Sequence, residues 1–278
     1  MESIEILPFT GHDGERLYYR RLIPPAPRAG VLLVHGYSGH SGRYQHLMAS
    51  LGEAGFATFC PDHRGHGLSG RLLGLIERME DVVQDLVALR AQMEEALPEV
   101  PVFILGHSLG GLLAVLTLGA GAKPLRGAVL SAPAVVSPTA VPWVMKALAR
   151  SLGKSFPTLG VRSYFDPAKA ARSEAAQRSM LEDKLFYKGK VRARTAAEIL
   201  DSIDRAEAVL SQLELPLLIL HGGADQVVPV DASQAVYDRA PSTDKTLRIY
   251  EDAYHQMFND PEWEQILGEI VAWMDARI

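Results

Sequence analysis

The sequence predicts an α/β fold with a mostly parallel sheet, and three observations support this prediction. Short, continuous apolar segments alternate with longer segments of helical character through the first half of the chain. Continuous apolar segments are typical of strands that are covered on both faces. The alternation stops in the middle of the chain and resumes toward its carboxyl terminus. Alternation of this kind indicates parallel strands with helices on both faces of the sheet.

The predicted elements follow in order along the chain. Two strands at residues 4–9 and 17–22 are joined by a polar turn at residues 11–14, which is a hairpin signal. Further strands are predicted at residues 31–34, 57–60, 102–105, 127–131, 217–220 and 246–250. Helices are predicted at residues 43–54, 79–95, 109–118 and 232–239, and from residue 262 onward.

The block between residues 134 and 206 differs from the rest of the chain. Strand-like segments disappear there, and short helical stretches are separated by Pro138, Pro142, Pro157 and Pro167. We interpret this block as a helical insertion over the carboxyl ends of the strands, the edge at which open α/β sheets bind ligands. The predicted domains are a core of residues 1–133 and 207–278, and a helical cap of residues 134–206.

Composition limits the class of protein. The chain has 278 residues, of which 47% are hydrophobic, and a net charge of −5, which gives no electrostatic signature of nucleic-acid binding. The single cysteine, Cys60, cannot form an internal disulfide. We see neither a signal peptide nor the run of roughly 18 apolar residues that a membrane-spanning helix needs. We therefore expect a cytoplasmic protein without a nucleic-acid partner.

The most informative motif is Gly-His-Ser-Leu-Gly at residues 106–110, which fits the pattern Gly-x-Ser-x-Gly. It lies between a predicted strand and a predicted helix, where a sharp turn lifts a serine hydroxyl above the edge of the sheet. Glycines flank such a turn because neighbouring backbone comes too close for a side chain. The motif predicts Ser108 as a nucleophile, with the Leu109 N–H beside its oxygen at the start of the helix.

A serine nucleophile needs a base, and the base needs a carboxylate that fixes its orientation. In this strand–turn–helix arrangement the chain order is serine, then acid, then histidine. Asp225 follows the predicted strand at residues 217–220 and is predicted as the acid, although Asp231 is a rival whose surroundings favour a helix N-cap. Among the nine histidines, only His255 follows Asp225, so we predict it as the base.

The oxyanion of an acyl-transfer intermediate requires a second donor, and the loop after an earlier strand supplies it in this arrangement. Residues 35–40 follow the predicted strand at residues 31–34, and Gly36 permits a sharp bend there. We therefore predict the Tyr37 N–H as the second donor. The alternative is that these residues are only a flexible glycine-rich turn.

With these residues in place, the chain resembles the α/β-hydrolases, and within them the monoacylglycerol lipase and lysophospholipase-like group of serine aminopeptidase S33-type hydrolases. The matching segments are residues 35–44, 62–69, 106–111, 221–225 and 244–255. The resemblance implies an α/β-hydrolase fold with an eight-stranded sheet and a cap inserted after the sixth strand. It also implies serine esterase chemistry on single-chain acylglycerols, with the cap forming an acyl tunnel. Tyr37 and Gln256 depart from the usual family pattern and leave the details of substrate recognition open.

Other motifs favour structural roles. His63 and His66 suggest a metal cluster, but their spacing matches no zinc pattern, and we interpret them as part of a turn that shapes the rim of the site. We expect His107 to be a hydrogen-bonding packing residue and Cys60 to be unreactive. Since no nucleotide-binding loop is found either, we expect no metal and no cofactor.

Residues 142–156 predict an amphipathic helix in the cap. An apolar stripe contains Val144, Leu148 and Leu152, and a basic stripe contains Lys146, Arg150 and Lys154. Two interpretations stay open: a lid that packs its apolar side over the pocket, or a helix that docks on lipid aggregates. In either case Trp143 and Leu148 are the candidate substrate-binding residues.

The predicted reaction is hydrolysis of carboxylic esters of single acyl chains through an acyl-enzyme. A small lipid ester is the predicted partner, in particular monoacylglycerol, which would yield a fatty acid and glycerol. A general carboxylesterase or a lysophospholipase is the alternative. A more distant alternative is a non-catalytic relative of these hydrolases that only binds a ligand. The sequence does not predict the oligomeric state.

Overall fold

The computed structural model describes residues 3–120, 124–136, 142–164 and 166–278, with the side chains of residues 162–164 excepted. The strands are β1 (Glu5–Thr10), β2 (Arg16–Leu22), β3 (Ala29–Val34), β4 (Phe56–Pro61), β5 (Val102–His107), β6 (Gly127–Ser131), β7 (Gly160–Tyr164), β8 (Lys190–Arg192), β9 (Leu217–Gly222) and β10 (Lys245–Tyr250). The α-helices are α1 (Gln45–Glu53), α2 (Met79–Ala96), α3 (Leu109–Gly119), α4 (Trp143–Ser155), α5 (Pro167–Ala170), α6 (Glu174–Glu182), α7 (Ala193–Leu210), α8 (Asp231–Arg239) and α9 (Trp263–Asp275).

Within the described residues, eight strands form one sheet in the order β1-β2-β4-β3-β5-β6-β9-β10. The β1–β2 and β2–β4 pairs are antiparallel, and the pairs from β4 through β10 are parallel. This arrangement confirms the predicted mostly parallel sheet. Parallel strands end at the same edge, so the loops after β3, β5, β9 and β10 lie close together there.

The large sheet separates two apolar clusters. Leu32 and Val34 of β3 point into one cluster, whereas Val31 and Leu33 point into the other, because successive side chains of a strand face opposite sides. Helices α2, α3 and α8 cover the first face, and α1 and α9 cover the second. The central strands are consequently buried along their whole length, which explains why they read as continuous apolar segments.

Between β6 and β9 the chain adds no strand to the large sheet in the part that the structure describes. We call residues 142–210, which hold α4 to α7, the intervening segment. The prediction that this block contains no strand is wrong, because β7 and β8 pair there as a small antiparallel sheet. β8 has only three residues, Lys-Val-Arg, which is too short for an alternating apolar pattern to be recognised in the sequence. Residues 137–141 of the predicted cap, including Pro138, lie outside the described residues.

The intervening segment is attached to the core through the loop after β4. Thr195 of α7 accepts a hydrogen bond from Ile76 N at 2.9 Å, and Glu198 accepts one from Met79 N at 2.7 Å. Arg205 pairs with Glu80 of α2 on the outer side. None of the helices in the described ranges is long and apolar enough to cross a membrane.

Candidate active site

Ser108 lies at the turn between β5 and α3, in a strained backbone conformation with φ 56° and ψ −119°. Its N–H donates to Ser131 O on the neighbouring strand β6 at 2.9 Å, and its carbonyl accepts from Leu112 N of α3 at 3.2 Å. Backbone strain of this kind costs about 1–3 kcal/mol and persists only where the surroundings enforce it. Here the sheet and the helix together hold the serine at the carboxyl edge of the sheet.

The two glycines of the motif are required by close backbone contacts. A Cβ atom on Gly106 would lie 2.3 Å from Gly110 O, and one on Gly110 would lie 2.0 Å from Val34 O. Both distances are far below van der Waals contact with atoms that cannot move independently of the sheet. The flanking glycines therefore let α3 pack directly onto β3 and β5.

We expect Gly110→Ala to lower the free energy of unfolding by about 1–3 kcal/mol or more, since overpacking of a buried site has this cost. Gly268→Ala is the matched control, because Gly268 lies in α9 with no atom near the position of an added Cβ. It should instead stabilise the protein by roughly 0.5–1 kcal/mol. Urea unfolding of both variants measures the two effects, and equal shifts in the same direction would contradict this explanation.

Ser108, His255 and Asp225 are brought together although they are far apart in the chain. The Ser108 Oγ lies 2.8 Å from His255 Nε2, and His255 Nδ1 lies 2.7 Å from Asp225 Oδ2. His255 is 2% exposed, and the Asp225 side chain is fully buried. The carboxylate accepts a hydrogen bond from the Nδ1–H, which leaves Nε2 free to accept the hydroxyl proton of the serine.

The Asp225 carboxylate is held in its charged form. Burial alone would raise its pKa, but the nearby His255 and hydrogen bonds from His221, His255 and the Val228 amide outweigh burial, so the pKa lies well below its usual range. Its Oδ1 accepts from Val227 N at 2.7 Å and from Val228 N at 3.0 Å. These two amides fix the rotation of the carboxylate and leave Oδ2 directed at His255.

His221 is a neighbour of this group that sequence reasoning missed. It is the penultimate residue of β9 and is fully buried, and its Nε2 lies 3.1 Å from Val228 O and 3.3 Å from Asp225 Oδ2. Because a carbonyl only accepts, Nε2 carries the proton, and Nδ1 then accepts from Ser233 Oγ at 2.6 Å. The sequence did contain a signal for this neighbour: a histidine directly follows the apolar segment Leu-Leu-Ile-Leu, just before the loop that holds the predicted acid. Asp231, predicted as an N-cap, is instead the first residue of α8, after the N-cap Val230.

His107 packs beside the site, as predicted. Its ring centroid lies 4.7 Å from that of His255, and its Nδ1 lies 3.2 Å from Ser131 Oγ. Burial lowers the pKa of His107 well below its ordinary value, so the ring is neutral at neutral pH. A neutral ring at this distance leaves His255 as the group that can carry positive charge next to Ser108.

The loop after β3 contacts the serine turn directly. A Cβ atom on Gly36 would lie 3.1 Å from Ser108 Cβ, which shows how closely the loop approaches. Tyr37 follows Gly36, and Leu109 is the first residue of α3, so its N–H has no partner within that helix. The use of the Tyr37 and Leu109 amides as oxyanion donors stays a prediction. The Tyr37 hydroxyl donates to Gly74 O at 2.9 Å, and this hydrogen bond fixes the position of the Tyr37 side chain.

Two histidines, His63 and His66, lie beneath this loop, and His63 contacts His35 at the start of the loop. His63 N donates to His35 Nε2 at 3.1 Å, and His63 Nε2 donates to His35 O at the same distance. His66 packs edge-on against Tyr37. Burial lowers the pKa of His63 to about 3 and that of His66 to about 4. Both His63 and His66 are buried and support the loop from below, so the suggestion that their turn shapes the rim of the site stays a prediction. Among the described residues, no group of histidine, cysteine and carboxylate side chains could hold a metal.

Helix α4 carries the two candidate substrate-binding residues. Trp143 is 79% exposed and Leu148 is 50% exposed. The neighbouring Val144 and Met145 are also exposed. The basic stripe is turned toward α7 instead, where Lys146 pairs with Asp204 at 2.6 Å and Arg150 with Asp201 at 2.7 Å. These partners, which lie more than fifty residues away along the chain, neutralise most of the stripe. The expected basic face is therefore a contact between two helices.

Comparisons with known proteins identify the family and the fold. The model of the Hydrolase_4 family, described as serine aminopeptidase S33, matches residues 25–262. The monoacylglycerol lipase of Mycolicibacterium smegmatis is 34% identical over 97% of this chain and 96% of its own length. The monoglyceride lipase of Rattus norvegicus is 30% identical over 96% of this chain and 89% of its own length. The crystal structure of the Paleococcus ferrophilus monoacylglycerol lipase is 32% identical, with a TM-score of 0.82 over 94% of this chain and 99% of that one.

Proposed function

This chain belongs to the serine aminopeptidase S33 family of α/β-hydrolases, and from this premise we propose that it hydrolyses carboxylic esters of single acyl chains, with monoacylglycerol as its substrate. The observation that carries the proposal is the chain of hydrogen bonds from Ser108 through His255 to Asp225 at a strand–turn–helix junction. Relatives named for monoacylglycerol hydrolysis, which align over nearly the whole chain, support the choice of substrate.

In the proposed mechanism, the Ser108 Oγ attacks the ester carbonyl while His255 Nε2 takes its proton. The same nitrogen then returns the proton to the leaving glycerol oxygen, which leaves the acyl group on Ser108. A water molecule then attacks this acyl-enzyme while His255 Nε2 takes a proton from it. The same nitrogen returns that proton to the Ser108 Oγ as the bond between the acyl group and the serine breaks and the fatty acid leaves. The negatively charged Asp225 stabilises the imidazolium that forms in both halves of the cycle.

The proposed oxyanion hole consists of the Tyr37 and Leu109 amides. A donor aimed at the developing negative charge typically contributes a factor of about 10²–10³ in kcat. The Leu109 N–H is at the amino terminus of α3, where the helix dipole also favours negative charge. The close packing of Gly36 on the serine turn supports a fixed position for the second amide.

We also propose that residues 134–206 act as the cap over the site, with residues 1–133 and 207–278 as the core. The intervening segment contacts loops that follow two strands of the large sheet: Tyr187 N donates to Ser38 O after β3, and Gln256 N, after β10, donates to Ala170 O. Both contacts lie at the carboxyl edge, where Ser108 is found. A cover at this edge would separate the site from bulk solvent and surround one acyl chain.

The exposed apolar side of α4 is the proposed contact with lipid surfaces. We expect the double variant Trp143→Ser/Leu148→Ser to bind phosphatidylcholine vesicles at least about tenfold more weakly, because each buried apolar side chain contributes about 1.5–3 kcal/mol. Ile6→Ser/Ile249→Ser is the matched control, since both isoleucines are exposed but lie far from α4 in the sequence, on strands β1 and β10. Sedimentation with vesicles measures the effect. Equal binding by the wild type and the α4 variant would refute this contact.

The substrate assignment is tested with the purified protein on a panel of esters. We expect the highest kcat/KM for long-chain monoacylglycerol, compared with lysophosphatidylcholine, diacylglycerol and p-nitrophenyl acetate. A preference for the lysolipid would make the protein a lysophospholipase, and equal rates on all monoesters would make it a general carboxylesterase. A protein that neither turns over any ester nor reacts with a fluorophosphonate would be a non-catalytic relative.

A further inference from the structure

Residues 170–187 of the intervening segment contact two loops of the proposed active site at once. We call this stretch, which contains the end of α5, all of α6 and the turn before β8, the brace. One end lies against the loop that carries His255. The other end lies against residues 35–44, the loop that carries Tyr37. The two loops belong to opposite sides of the serine, so the brace connects both parts of the proposed machinery.

At the histidine loop, most contacts are made to the brace backbone, and the Arg172 side chain also donates to Asp252 O at 3.1 Å. Gln256 N, directly after His255, donates to Ala170 O at 2.7 Å. Asp260 is buried, with 1% of its surface exposed. Its side chain accepts hydrogen bonds from Arg172 N at 2.7 Å and from Ser173 N at 3.1 Å. The brace is therefore bound to the chain on both sides of the proposed base.

At the loop of residues 35–44, the contacts converge on one brace side chain. The Asp183 Oδ2 accepts from His40 Nε2 at 2.8 Å and from an Arg43 Nη1 at 3.3 Å. Tyr187 N donates to Ser38 O at 2.9 Å. Ser38 has a positive φ of 70°, so this loop is held in a conformation that a serine adopts at a cost.

The brace has packing contacts of its own. Ala171, Met180 and Phe186 form a small buried cluster within it. The Arg43 guanidinium lies 5.3 Å from the centre of the Phe186 ring. The second oxygen of Asp183 accepts from Leu185 N at 2.9 Å, which fixes the carboxylate relative to the turn.

We propose that Asp183 is a positioning residue for ester hydrolysis: through His40 and Arg43 it holds the loop that presents the Tyr37 amide to the oxyanion. This inference rests on the proposed function. Asp183 thereby acts on the chemical step for every ester, including esters too short to use an acyl tunnel. A residue that only shapes the tunnel would instead affect long-chain substrates alone.

The test compares Asp183→Ala with Asp204→Ala. Asp204 belongs to the same segment and also forms an ion pair, but its partner is Lys146 of α4, within that segment. Both variants are assayed on p-nitrophenyl acetate and on a long-chain monoacylglycerol, with the melting temperature as a check of folding. Where Asp183→Ala does not fold, Asp183→Asn is measured by the same criteria.

We expect Asp183→Ala to lower kcat about 10- to 100-fold on both esters, with KM within twofold of wild type, since a displaced oxyanion donor loses part of a factor of about 10²–10³. Asp204→Ala should leave both rates unchanged. A loss confined to the long-chain ester, an unchanged kcat, or an equal loss in Asp204→Ala would overturn the inference. A wild-type protein that hydrolyses neither ester would end the proposed function itself, and the inference with it.

Discussion

Ser108→Ala is expected to lower kcat for ester hydrolysis by about 10⁶-fold, because removal of a serine nucleophile that acts with its base has an effect of this size. The Ser108 Oγ is in contact with His255 Nε2 at 2.8 Å, and the backbone of the turn does not depend on the hydroxyl. Folding should therefore be preserved. Turnover of monoacylglycerol by wild type and variant, together with their melting temperatures, measures the effect.

The control for this prediction is Ser211→Ala, which removes an exposed hydroxyl that donates to Ala208 O near the end of α7. That variant should retain wild-type turnover. Residual activity above a few per cent in purified Ser108→Ala, with the control unchanged, would mean that another group performs the chemistry. A large drop in the melting temperature of Ser108→Ala would instead show that the hydroxyl stabilises the fold.

Asp225→Asn is the second large effect, with an expected loss of about 10⁴-fold in kcat. The physical reason lies in the two amides that hold Oδ1: Val227 N and Val228 N require an acceptor, so they retain the oxygen of the new amide. Its NH₂ group then faces His255 Nδ1. The ring must accept at Nδ1 and carry its proton on Nε2, where it can no longer take the proton of Ser108.

The matched control is Asp231→Asn, the acid that the sequence offered as a rival. Asp231 begins α8, away from the hydrogen bonds of the site, so kcat should stay within twofold of wild type. The pH dependence of kcat for both variants and the wild type provides the measurement. If Asp225→Asn kept more than a tenth of wild-type kcat at neutral pH, the orienting role of the carboxylate would be refuted.

Much of the fold could be predicted because its determinants are local. Strands covered on both faces are continuous apolar segments. The Gly-x-Ser-x-Gly motif lies within one strand–turn–helix unit, so it can be recognised in the sequence, although Gly110 also packs on β3. Residues 106–110 are informative because a Cβ on Gly106 or Gly110 would overlap backbone. The chain order of Ser108, Asp225 and His255 follows from the order of the parallel strands that carry them.

The remainder depends on contacts between distant parts of the chain, which leave no local pattern. The sequence of α4 predicts an unpaired basic face, but in the structure Asp201 and Asp204 of α7 lie opposite it and pair with Arg150 and Lys146. Burial of His63 under the loop after β3 is likewise set by the packing of that loop. Asp183 contacts His40 across 143 residues of sequence, so its place beside the proposed site could be found only in three dimensions.

The rate at which a fluorophosphonate modifies Ser108, followed by mass spectrometry of the labelled peptides, tests the proposed mechanism most directly. We predict one adduct per chain, located on Ser108, and a rate at least about 10³-fold lower in His255→Ala, since the hydroxyl is a weak nucleophile without a base. An adduct on a different residue, or a rate on Ser108 that is unaffected by the loss of His255, would contradict the account.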